Sequence, residues 1–177
     1  MNSWMIYGPV SISDASAAYL RFDYFLDTEL NYDYFGWYAS SDGLNFYGQR
    51  TSGNSGGNWI HKDFDLSAVP GWGSMLDNGS VWIAFVFTSD FSNSSGYDGP
   101  FVDNIYAEKY RPHLTSYYYS GTNFNTYKFS GWDYLPLSRS WGAGGPGYAT
   151  DNFSIYWTGN VNFNAGTYTF YVRSDDG

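Results

Sequence analysis

The chain has 177 residues, 43% hydrophobic and 23% aromatic but only 14% charged, with net charge −9 and no cysteine. That length holds one or two domains and enough apolar mass for a core. The missing thiols exclude disulfides, thiolate metal sites and Cys nucleophiles, the acidic balance excludes a nucleic-acid footprint, and no apolar run is long enough to span a bilayer.

Nineteen Tyr, 14 Phe, 8 Trp and 21 Gly, with many Asn, Ser and Asp and few helix formers, define an all-β chain. The acid is uneven. Residues 1–109 hold 13 Asp/Glu against 4 Lys/Arg, and residues 110–177 hold 4 against 4. An Asp-rich surface serves solubility. It also suits calcium, a hard cation that takes carboxylate and carbonyl oxygens.

In chain order, YLRFDYFLD (Tyr19–Asp27) alternates, which predicts a strand with Leu20, Phe22, Tyr24 and Leu26 on one face. YDYFGWYAS (Tyr32–Ser40) predicts the next strand, and the Ser-Asp-Gly after it a turn. TSGNSGGN (Thr51–Asn58) reads as a loop, with a strand end near Trp59 and Phe64. GSVWIAFVFTSD (Gly79–Asp90) is the most apolar strand, and FVDNIYAEKY follows as the last of this part. The spacing suits an antiparallel sandwich. KYRPH (Lys109–His113) reads as a linker, because Pro112 interrupts strand pairing and the charge balance changes there. Further strands are expected in LTSYYYSG, YKFSGW, DNFSIYWTGNVNF and GTYTFYVRS, the last spanning Gly166–Ser174, with the loop RSWGAGGPGYAT among them. The Asp175-Asp176-Gly177 end reads as a hairpin turn. No basic, apolar leader precedes Trp4, so an exported form would be a mature chain or a fragment.

Several strings carry a resemblance. Tyr32-Asp33, Ser41–Gly43, the Trp59 to Asp65-Leu66-Ser67 segment, Ser89-Asp90 and Gly99 to Val102-Asp103-Asn104-Ile105 occur in an order that resembles a MAM-like jelly-roll module. Such modules accompany immune-inhibitor-type exopeptidases and cell-surface proteins. The likeness covers roughly residues 4–109 and implies a jelly-roll sandwich, whose usual opening strand before Trp4 is not expected here. LTSYYYSGTNF and DNFSIYWTGNVNFNAGTYTFYVRSDDG resemble the start of the protective-antigen-type β-barrel found in flocculin-type adhesins and glycosidases. This implies a second β-sandwich or barrel over 110–177, incomplete at its C-terminal end. Both families imply an extracellular or cell-surface location.

The candidate site residues follow. Asp175 and Asp176 match the calcium-ligating pair of the second family's sugar binders, where calcium holds the sugar hydroxyls, although the same turn occurs in members that bind no sugar. Asp27, Glu29 and Asp33 form a second acidic group, with Asp103 expected near them from the last strand. Related jelly-roll modules hold calcium with such groups, and the alternative is a solvated acidic loop. Tyr117, Tyr118 and Tyr119 put rings on both faces of one strand. With Trp37, Trp132 and Trp141 they are candidates for stacking on a ligand, against a role as core.

No catalytic residue is expected. His61 and His113 lack metal-ligand spacing, no Ser sits in a nucleophile elbow, and Glu29 and Glu108 are the only glutamates. The reading is a non-catalytic adhesion or glycan-binding module, stabilised by calcium, whose partners are glycans or cell-surface polymers. Two alternatives stand beside it. One is a structural subunit that self-associates through an open strand edge into a filament. The other is an accessory module of a larger secreted hydrolase.

Overall fold

The computed structural model describes residues 2–90, 96–142, 144–161 and 166–171. The described residues contain no helix and form three antiparallel sheets. Contacts divide the chain into two units, Met1–Pro112 and His113–Gly177.

The first unit holds β1 (Asn2–Val10), β2 (Ala17–Asp27), β3 (Tyr34–Ser40), β4 (Tyr47–Thr51), β5 (Ile60–Asp65), β6 (Val81–Thr88) and β7 (Gly99–Tyr110). They pair as a four-stranded sheet, β1-β6-β3-β4, and a three-stranded sheet, β5-β2-β7. The alternation of β2 is realised in full. Leu20, Phe22, Tyr24 and Leu26 are buried, while the residues between them are partly exposed. Phe22 is the hub of the core, with ring centroids 4.7 Å from Phe85 and 5.5 Å from Trp37, so the two sheets pack face to face. Met75, Leu66 and Val69 close the core from the segment after β5. Burying each such side chain is worth roughly 1.5–3 kcal/mol.

Strand β6 departs from simple alternation. Alternation predicts Val81, Ile83, Phe85 and Phe87 on one buried face; the first three are buried, Phe87 is only half-buried, and Ala84 and Val86 of the other face are buried as well. The cause is its central place in the sheet, between β1 and β3. Tyr38 and Gly36 flank Ala84 and Val86 in register, and Trp4 lies beside Val86 and packs edge-on against Phe46 at 5.5 Å. Gly48 is required opposite Tyr38, because a Cβ there would overlap the Trp37 carbonyl oxygen.

The described residues of the second unit form a three-stranded sheet, β10-β8-β9, from β8 (His113–Ser120), β9 (Thr126–Tyr134) and β10 (Phe153–Thr158). Tyr118 is buried and stacks on Phe129 at 4.4 Å.

Several expectations are corrected. Strands β1 and β4 have no counterpart in the sequence reading. The connection at KYRPH shrinks to Arg111-Pro112, because β7 runs through Lys109 to Tyr110. Strand β10 stops at Thr158, where a run to Phe163 was expected. Residues 166–171, the described part of the expected strand Gly166–Ser174, belong to none of the described strands, and the rest of that strand and the Asp175-Asp176-Gly177 turn lie outside the described residues.

Candidate functional site

The outer face of β5-β2-β7 is built in rows by register. On β2 the outward residues are Tyr19, Arg21, Asp23, Phe25 and Asp27, the complement of the buried set. Phe25 is paired with Phe101 of β7, and their ring centroids lie 6.1 Å apart. On its other side Phe25 meets Trp59, just before β5, also at 6.1 Å. Trp59 is 53% exposed and Phe101 50%. Three aromatic side chains, from β2, β7 and the residue before β5, therefore form one row, half-buried at Phe25 and open to solvent at Trp59 and Phe101.

The next row is polar. Asp23 is paired with His61 on β5, and their side chains meet at 2.7 Å. On the β7 side the register shifts between Arg21 and Asp23, a bulge. Asn104 takes the left-handed conformation there, at φ 50°, which Asn tolerates better than most residues. The bulge turns its amide toward β2, where Nδ2 donates to Asp23 Oδ2 at 2.7 Å. Hydrogen bonds from Asn104 and His61 hold the Asp23 carboxyl below its ordinary value, and the bond to Asp23 raises the His61 imidazole. One row further, Arg21 pairs with Asp63 at 2.9 Å and with Glu108. A ring row beside a row of fixed donors and acceptors can cover an apolar ligand face and bind hydroxyls at its edge.

A second feature lies where the two sheets of this unit part. A groove of about 730 Å³ runs between the edge strands β1 and β7, lined by Met5, Tyr7, Leu20, Ile83, Phe85 and Ile105 among others. Its lips are exposed, with Ile6 at 50%, Tyr7 at 70% and Ile105 at 46%. At one end Lys109 Nζ bridges the carbonyl of Ser11 at 3.1 Å and Asp14 Oδ1 at 2.6 Å.

The expected metal residues are dispersed. Asp103 is paired with Asp23 on β2, four residues along the strand from Asp27, and its Oδ1 accepts from the backbone N–H of Asn104. Asp27 accepts from Asn54 Nδ2 at 2.7 Å and from the backbone N–H of Asp98 at 3.4 Å. Asp33 is buried and accepts from the backbone N–H of Asp90 at 3.2 Å. Glu29 contributes its carbonyl oxygen, which accepts from the N–H groups of Tyr32 and Asp33. Among the described residues no group of three or more such side chains is gathered to hold a metal ion. Asp175 and Asp176 lie outside the described residues.

The expected aromatic residues separate by burial. Trp37 is corrected to a core residue, 4% exposed and packed against Phe22, Tyr24 and Phe35. Tyr118 is likewise core. Tyr117 and Tyr119 are half-buried on the other face, against Tyr156 and Phe124 respectively. Trp141 is half-buried and meets Phe153 edge-on at 5.3 Å. Trp132, 69% exposed and 5.3 Å from the His113 ring, remains available for stacking. Beside it a cavity of about 210 Å³ is lined by Asp133, Pro136, Ser138 and Arg139.

Sequence reasoning missed Phe25, Trp59, Phe101, Asp23, His61 and Asn104 as a group. The outward alternation of β2 marked Asp23 and Phe25, but Trp59 and Phe101 join them only through strand order. Comparison with protein-family models gives no match, and comparison with curated proteins gives none either.

Proposed function

We propose that this chain is a non-catalytic glycan-binding or adhesion module of the extracellular space or cell surface, and that it holds its ligand on the outer face of β5-β2-β7. The observation that carries this reading is the aromatic row Trp59, Phe25 and Phe101, exposed at its two ends, beside the bonded row His61, Asp23 and Asn104. The faces of sugar rings are apolar and their edges carry hydroxyls, so this pairing of rows suits them. The sequence resemblances to a MAM-like jelly roll and a protective-antigen-type domain support the same class. Calcium stabilisation rests on the acid excess of residues 1–109. A melting temperature unchanged between chelator and calcium would remove it.

The test is a glycan array followed by titration calorimetry on the hits. Binding should weaken about tenfold in Trp59→Ala, a loss of about 1.4 kcal/mol, with an unchanged melting temperature. Retention of full affinity in both Trp59→Ala and Phe101→Ala overturns the assignment to this face.

The groove between β1 and β7 favours a second reading, a subunit that assembles by strand addition. Both walls are sheet edges, and such edges template pairing with another extended chain. Exposed apolar residues in one contiguous patch mark interaction sites.

A further inference from the structure

We infer that the glycan taken by the outer face of β5-β2-β7 carries free amino groups in place of carboxylates. This rests on the reading of that face as a glycan site and concerns which sugars it selects. Register places six carboxylates on the face, from Asp23, Asp27, Asp63, Asp65, Asp103 and Glu108. Against them stand one guanidinium, Arg21, and one imidazole, His61.

Their placement matters more than their number. Phe25 lies midway between Asp23 and Asp27 on β2, so the aromatic row is bracketed by carboxylates on both sides. Each is roughly 7 Å away along the strand, since alternate residues repeat at twice the 3.4 Å rise. Asp103 adds a third charge beside Asp23. These separations are shorter than the Debye length of about 8 Å at physiological salt. The carboxylates near the row therefore act together on anything stacked there. Arg21 is held two rows from the rings by Asp63 and Glu108, so its charge is already balanced. His61 and Asp23 balance each other in the same way, which leaves Asp27 and Asp103 to act on a ligand at the row.

An ammonium group on a sugar stacked over Phe25 comes within reach of Asp27 or Asp103. A uronic acid in the same pose places its carboxylate in the same negative field, with no free cation on the row to receive it. The face thus matches a glucosamine-type polymer by charge, accepts a neutral one through stacking alone, and rejects an acidic one.

The experiment titrates the protein with three oligosaccharide series of equal length, glucosamine, N-acetylglucosamine and glucuronic acid, at a pH where the amines are protonated. The expected result is glucosamine tighter than N-acetylglucosamine by about two- to fivefold per amino group engaged, the range of an exposed ion pair, with no binding of the glucuronic series. The glucosamine advantage should shrink as salt rises. It should also fall in Asp103→Asn and Asp27→Asn, read as the ratio of glucosamine to N-acetylglucosamine affinity within each variant. Equal affinity for the first two series overturns the charge selection and leaves the glycan reading standing. Tighter binding of the glucuronic series overturns it outright. Failure of a full glycan array, including neutral polymers, removes the glycan reading itself.

Discussion

His61 Nδ1 lies 2.7 Å from Asp23 Oδ1 across the β5–β2 pair, and Asn104 approaches the same carboxylate from β7 at 2.7 Å. Three strands are thereby tied through one side chain on the outer face of their sheet. The two partners set a pH window. His61 is raised, so its contribution to stability is complete below the ordinary imidazole value of 6.5 and is lost as the pH rises through the higher folded value. Asp23 is lowered, so its contribution is complete above the ordinary 3.8 and is lost as the pH falls through the lower folded value. The pair therefore supports the fold most fully between those two ordinary values. NMR titration of the His61 ring checks this, and Asp23→Asn is expected to bring its pKa down. An unchanged His61 titration in the variant would contradict the contact.

Two tryptophans with the same sequence expectation should behave oppositely. Trp37 is 4% exposed and Trp132 is 69% exposed. Trp37→Ala, like Phe22→Ala, is expected to cost about 3–5 kcal/mol, a large share of the 5–15 kcal/mol typical of a whole domain. Trp132→Ala is expected to stay within about 0.5 kcal/mol of wild type. Urea unfolding of the three variants measures both figures.

The groove gives a prediction about assembly. If strand addition at β1 and β7 is the working interface, the chain self-associates with rising concentration. A lysine on an edge strand opposes such pairing, so Ile6→Lys or Ile105→Lys should return it to monomer. Both positions are about half exposed, so neither variant should lose more than about 0.5 kcal/mol of stability. Sedimentation velocity across a dilution series decides it, and a wild-type monomer at every concentration would remove this mode.

Asp133 anchors the small sheet of the second unit. It is 4% exposed, pairs with Arg139, and accepts from Trp157 Nε1 at 2.7 Å. Asp133→Ala leaves the indole N–H without that partner, at a cost of about 1–3 kcal/mol. Asp133→Asn retains an oxygen acceptor for Trp157 and is expected to cost less. Thermal melts followed by tryptophan fluorescence compare the two.

The class of structure and the strands with plain alternation are legible in the residues alone. Composition defines an all-β chain, and the period of two in Tyr19–Asp27 separates Leu20, Phe22, Tyr24 and Leu26 from the outward set. Periodicity is a local property, so it survives without a partner strand. It was blind where the sheet covered both faces, as at Ala84 and Val86, and where a strand has little alternation of its own, as in NSWMIYGPV of β1. The proposed binding face depends on tertiary structure. Phe25, Trp59 and Phe101 are scattered along the chain and share a row only because β2 lies between β5 and β7 in a particular register. The bulge at Asn104 fixes which β7 side chains reach Asp23, and no pattern in the strand announces it. The same holds for Trp37 and Trp132. Residue type makes each a candidate, but exposure depends on what the opposite sheet places above the ring, a long-range fact that a local string does not encode.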